Sequence, residues 1–285
     1  MKLFSRSLAL AATACLALVT TFQASAAEKA IKLPAAIKAK GQITVGINAI
    51  FAPMEFKTPG SDELIGVDVE LAQALGKALG VKVVFQDQKF DQLLPSVTTN
   101  RVDFVISGLS DTAVRRKTYD FIDYFVSGTQ AYTTKAFAKD FKKLEDFSGK
   151  TLAVSASTDY WATMEKWSKE NLEAKGKPGF TLLPVDSEAT ARLQLVQGRA
   201  QFSAISPEVL GWLSKQNPGQ FAPVGPVLAP DPYGMCFKQD NTELRDAVFE
   251  AFKRVIKDGT YKKILTKWEV TQSGVAEPLI NGEKK

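Results

Sequence analysis

The chain has 285 residues, with 36 Lys+Arg against 31 Asp+Glu and a formal net charge of +5, and it contains no histidine. The missing histidine excludes His-based triads, His general bases and zinc–histidine sites, and nothing else in the composition implies a metal or other cofactor. The mild positive charge has no basic run interleaved with aromatics, which argues against nucleic-acid binding.

The N-terminus reads as a secretory signal. Met1 to Arg6 is a short basic region, Leu8 to Val19 an apolar run, and Ala24-Ser25-Ala26 an A-x-A cleavage site, so residues 1–26 are expected to be removed. Cleavage takes Lys2 and Arg6 and no acid, lowering the net charge from +5 to +3. The apolar run is short for a membrane span, so the mature protein is expected to be exported and soluble. A rival reading, lipid attachment at Cys15, fits poorly because Ala12-Thr13-Ala14 lacks the leucine usual before such a cysteine. Cys236 then remains alone, so an intramolecular disulfide is ruled out.

Residues 28–40 read as a polar leader that packs loosely. Ile43–Ile47 is a β-type run. Asp68 is a candidate N-cap for a helix with Val69, Ala72, Leu75 and Leu79 on one face and Gly80 as its stop. Val81–Phe85 reads as a strand, Asp91–Thr99 as a short helix interrupted by Pro95, and Val102–Ser107 as a third strand. This βαβαβ order predicts a parallel sheet with ligands at the carboxyl ends of its strands.

The order then recurs: strand Thr151–Val154, helix Asp159–Ala174, strand Phe180–Val185, helix Ser187–Gln197, strand Gln201–Ile205. Even the approaches to the third strands echo, Arg101-Val102-Asp103-Phe104 against Arg199-Ala200-Gln201-Phe202. The weak repeat predicts two lobes of like architecture, and 128–134 and the Pro/Gly-rich 223–232 are the expected crossovers. Lobe 1 is then discontinuous, 41–128 plus 230–270, and lobe 2 is 133–224. A helix is expected over Thr242–Lys257, an Asp258-Gly259 break, a second short helix to Trp268, and a poorly ordered polar tail over 271–285.

Three segments at predicted strand ends carry the candidate chemistry. Ser107-Gly108-Leu109-Ser110-Asp111-Thr112 offers hydroxyls and free backbone N–H groups, and Arg115 is placed to reach back over them. A guanidinium can hold a carboxylate through two parallel hydrogen bonds. From spacing alone, Arg115-Arg116-Lys117 also reads as a solvated basic turn. Ser155-Ala156-Ser157-Thr158-Asp159 ends a strand and opens a helix, so it suits either anion binding or simple capping by Ser157 or Thr158. Phe51 and Phe90 suit ligand stacking or a core. Glu55 reads as a structural buried acid.

As strings, several of these segments resemble the periplasmic amino-acid-binding proteins of ABC importers, the extracellular solute-binding proteins of family 3. The resemblance covers about 41–270. Its most specific parts are N-x-E-L…DGTY-x-K-I…KW over Asn241–Trp268 and ISG-x-S-x-T-x-x-R over Ile106–Arg115. It implies a type II, two-lobed α/β binding protein that closes on a small carboxylate, most simply an amino acid, and delivers it to an inner-membrane permease. It also implies a periplasmic monomer without enzymatic activity. Carried over residue by residue, the ligand-binding set is Asn48, Phe51, Phe90, Ser107, Gly108, Ser110, Arg115, Ser157, Thr158, Asp159 and Ser206.

The chain departs from the family pattern at both Asn48 and Ser206, where relatives carry aspartates, the second of which holds the α-ammonium. Either Asp159 supplies that charge or the ligand lacks an ordinary α-ammonium. The departure keeps open an alternative on the same fold, a periplasmic cyclohexadienyl dehydratase using Glu55 or Asp159 as its acid. A sensor partner of a membrane receptor is a third reading.

Overall fold

In the computed structural model of the chain, residues 30–283 are described, so the expected signal segment and Cys15 lie outside the described residues. Helix α1 (Ala35–Lys40) leads into β1 (Gln42–Ile47). A small antiparallel sheet follows, β2 (Ile50–Phe51), β3 (Glu55–Lys57) and β4 (Leu64–Ile65). Then come α2 (Val67–Leu79), β5 (Lys82–Asp87), α3 (Phe90–Thr98) and β6 (Phe104–Val105). A 16-residue strand, β7 (Tyr119–Thr134), precedes β8 (Thr151–Ser155), α4 (Asp159–Asn171), β9 (Thr181–Val185), α5 (Glu188–Val196) and β10 (Phe202–Ile205). The chain continues through α6 (Pro207–Gln216), an 18-residue β11 (Phe221–Lys238), α7 (Thr242–Lys257), α8 (Thr260–Lys267) and β12 (Gly274–Ile280).

The main sheet runs β5-β1-β6-β11-β7-β10-β8-β9, with β12 added against β7. β1 pairs parallel to β5 and β6, and β8 pairs parallel to β9 and β10. These are the two predicted βαβαβ units. The long strands β7 and β11 are antiparallel partners, and their register shifts between Val224, Leu228 and Asp231, where prolines at 226, 230 and 232 cannot donate to a ladder. One core cluster draws on β1, α2, α7, α8 and the Ile122–Phe125 end of β7. A second draws on β8, β10, α4 and the Ala131–Tyr132 end.

Four local expectations are corrected. The leader does not simply pack loosely: Ile31, Leu33 and Ile37 pack on the first core cluster. Asp68 is not an N-cap: Gly66 holds that position at φ 129°, where a Cβ would come within 2.2 Å of the Met54 carbonyl, and Asp68 is fully buried for another task. The third strand is only Phe104–Val105, because the Ser107 hydroxyl takes the Asn48 N–H at 2.9 Å in place of the ladder. The described part of the tail carries a strand, β12, beyond which Asn281 accepts from the Phe121 N–H at 2.8 Å and donates to Asp120 at 3.0 Å. No described helix is long and apolar enough to cross a membrane.

Candidate ligand-binding site

The loop after β6 rests on a buried polar network. Glu55, drawn in by the β2–β3 hairpin, is fully buried and accepts from the Ser107 hydroxyl at 2.6 Å. Asp68, at the start of α2, accepts from the Gly108 N–H at 2.8 Å and from the Tyr124 hydroxyl at 2.9 Å. Burial, then the Asp68 charge, pushes the Glu55 carboxyl well above its ordinary range, and burial pushes Asp68 up to about 7. One oxygen of each acid lacks a hydrogen-bond partner among the described residues, and the rise in both pKa values favours the protonated, neutral forms. Gly108 is held at φ 51°, and a Cβ there would lie 2.8 Å from the Phe51 ring. The loop is glycine because the aromatic packs directly on its backbone. Ser107 and Gly108 are thus held to the buried acids Glu55 and Asp68 and form a fixed base for the loop.

Above this support sits a charged constellation. The Arg115 guanidinium reaches back, as its spacing predicts, and donates to the Ser110 carbonyl at 2.8 Å. The Ser110 hydroxyl donates to Asp159 at 3.0 Å, joining the loop to the first residue of α4. β11 supports the loop from the other side, since the Asp111 N–H donates to the Pro232 carbonyl at 2.8 Å and the Gly234 N–H to Leu109 at 2.9 Å. That pairing brings in Asp231. Burial first, then the Asp159 charge, pushes Asp231 up to about 7, while the Ser110 hydroxyl and the Arg115 charge act the other way.

α4 is not capped by a side chain, contrary to the capping reading. Thr158 stands at the cap, yet its hydroxyl donates to the Ser155 carbonyl at 2.7 Å, and Ser157 pairs with the Ser155 hydroxyl at 3.1 Å. A 13-residue helix thus opens with backbone N–H groups that no side chain takes. Ser206 caps α6 by position only, fully buried, with a hydroxyl that has no hydrogen-bond partner. Two residues on, buried Glu208 accepts from Ser127 at 3.1 and 3.0 Å. Burial raises its pKa. The Tyr233 and Tyr160 hydroxyls stand 3.3 Å apart.

The other expected residues are spread. Phe51 is half-buried and packs against both core clusters. Asn48 donates to the Gln88 carbonyl at 2.8 Å. Phe90 opens α3 and packs on a separate cluster with Leu93 and Val97. Sequence reasoning missed Asp231 and Glu208. Asp231 sits in a stretch that composition marks as a crossover, and only the pairing of 109–111 with 232–234 brings it to the loop. Glu208 carried a signal, a lone acid one residue after a helix-opening proline at a strand's carboxyl end.

Two like α/β halves joined by paired long strands, with charged loops at strand ends, make a two-lobed binding protein. Residues 43–271 match the family of bacterial extracellular solute-binding proteins, family 3, and the chain belongs to that family. It is 31% identical over 251 residues to an arginine-binding protein of Corynebacterium glutamicum, covering 87% of this chain and 81% of that protein. It is 30% identical to an L-cystine-binding protein of Escherichia coli K12, covering 81% and 84%. Among solved structures, an ancestral arginine-binding protein bound to arginine superposes with a TM-score of 0.70 at 33% identity, covering 80% of this chain and 98% of that one. These relatives are solute-binding proteins; the chain is a binding protein rather than an enzyme, and the dehydratase alternative is not favoured.

Proposed function

We propose that this protein is the periplasmic substrate-binding component of an ABC importer and that its ligand is an α-amino acid. The observation that carries the ligand class is the Arg115–Ser110–Asp159 arrangement, a guanidinium-bearing loop set against a helix start with untaken N–H groups. Arg115 and the start of α4, with Ser157 and Thr158, hold the ligand carboxylate. Phe51 stacks on its side chain. Asp159 and Asp231 take the α-ammonium, replacing the aspartate missing at Ser206. The relatives that bind arginine and L-cystine support an amino acid as ligand.

Closure brings 133–224 against 41–128 plus 230–270, with β7 and β11 as the connecting strands. Contacts made only in the closed form shift the population towards it, and the permease reads that shape. Two core clusters on opposite ends of β7 support this division.

The test is a thermal-shift and calorimetric panel of L-amino acids, opines, 2-oxo acids and prephenate on the purified protein and on Arg115→Ala. At least one L-amino acid is expected to bind the unaltered protein and to be lost in the variant. Unchanged affinity in Arg115→Ala removes Arg115 from the site, and binding of ammonium-free acids alone overturns the amino-acid reading.

A further inference from the structure

Glu188 opens α5 at the edge where parallel strands β8, β9 and β10 end, the edge that also carries Asp159 and Ser206. Both of its carboxylate oxygens are buried, and neither has a hydrogen-bond partner among the described residues. Tyr132 and Ser203, directly opposite each other across β7 and β10, are fully buried with unpartnered hydroxyls. The two hydroxyls neighbour each other without meeting in hydrogen-bonding geometry. α5 packs on β7, β8 and β10, the strands that carry Tyr132 and Ser203 or lead to Asp159, and the Glu188 charge acts on the Tyr132 and Tyr160 hydroxyls as the Asp159 charge acts on Glu188.

A buried carboxylate with two empty acceptors is costly unless a cation or a proton meets it. The other charges near it do not meet it. Arg192, one turn along α5, lowers the Glu188 pKa by its charge but forms no ion pair with it, and Asp159 repels it. Burial is the main cause that lifts Glu188 to about 8, so the free protein carries a proton there at neutral pH. The two unpartnered hydroxyls add acceptors of their own. Together these groups are short of donors, and the chemistry that matches them is a group with several N–H bonds and a positive charge.

We propose that Glu188, with Tyr132 and Ser203, accepts a second cation on the ligand, so that the protein selects amino acids whose side chains end in a guanidinium or ammonium. This rests on the amino-acid reading above, and it assigns the end of the ligand remote from Arg115. Binding replaces the Glu188 proton with the ligand cation, and the proton leaves to solvent.

The experiment compares L-arginine with L-citrulline, which has nearly the same shape and the same α-ammonium but a neutral side chain. The unaltered protein is expected to favour L-arginine by roughly 10- to 100-fold, the range for a hydrogen bond to a charged group. Glu188→Gln is expected to remove most of that preference. A second readout needs no variant. Calorimetry in buffers of different ionisation enthalpy at about pH 7 is expected to show roughly one more proton released with L-arginine than with L-citrulline, the difference vanishing well above the Glu188 pKa. Equal affinities, a preference that survives Glu188→Gln, or equal proton release overturns the role of Glu188 while leaving amino-acid binding intact. A protein that binds no amino acid at all overturns the underlying reading as well.

Discussion

Trp212 tests how the two halves hold together. It lies on α6, whose Val209 and Leu210 belong to the second core cluster, yet its ring packs 5.5 Å from Phe56 of β3 and 6.0 Å from Trp268 after α8. Phe56 and Trp268 also contact each other, at 5.7 Å. Beside them is a cavity of about 240 Å3 lined by Pro53, Pro207, Glu208, Trp212, Lys215 and Trp268 among others. Lys215 pairs with Glu269 across the same gap, but both are exposed and such a pair contributes little. Each tilted or edge-on aromatic contact is worth about 0.5–1.5 kcal/mol beyond burial, so Trp212→Ala forfeits about 1–3 kcal/mol. If the contacts form only on closure, the whole loss falls on the bound state, and ligand affinity drops about 5- to 150-fold. The assay is calorimetric titration, with denaturant unfolding of the free protein alongside. Reduced affinity with nearly unchanged free-protein stability is the expected pair of results. Unchanged affinity with a loss of about 1–3 kcal/mol in the free protein refutes the reasoning, because it places the aromatic trio in the open form too.

Gly108→Ala forces an L side chain to φ 51° and drives its Cβ into Phe51, so stability is expected to fall by about 1–2 kcal/mol or more together with ligand affinity; an affinity unmoved by the change separates Phe51 from the ligand. Asp123 is pushed up to about 8, by burial first and then by the neighbouring Asp111. Its folded pKa lies above its unfolded one, so the native state holds the extra proton, and stability is greatest below the ordinary Asp range and lost as pH rises towards about 8. Asp123→Asn, which keeps a neutral group opposite Asp111, is expected to flatten the fall in melting temperature between about pH 5 and pH 9; an unchanged slope assigns that fall to other groups.

The internal echo in the sequence turns out to have a structural counterpart atom by atom. The Thr44 N–H donates to the Asp103 side chain at 2.7 Å, and the Thr151 N–H donates to the Gln201 side chain at 3.0 Å, each at the foot of the strand that follows. In both halves the backbone bond is doubled, Asp103 N–H to Thr44 carbonyl at 2.8 Å and Gln201 N–H to Thr151 carbonyl at 3.0 Å. Such side chains are legible because they act on neighbours that strand order already fixes. Arg115 was legible for a like reason: five residues of loop suffice to bring its guanidinium back to Ser110. Asp231, Glu208 and Glu188 were not, because each gains its meaning from residues distant in sequence. Asp231 depends on β11 folding back beside the 109–111 loop, Glu208 on the Ser127 hydroxyl of β7, and Glu188 on the absence of a partner for its buried oxygens. The last is the hardest to read from a string, since a lone glutamate at a helix start is ordinarily a favourable, solvated companion of the helix dipole. Burial with nothing to bond reverses that meaning: the position then specifies what must arrive from outside.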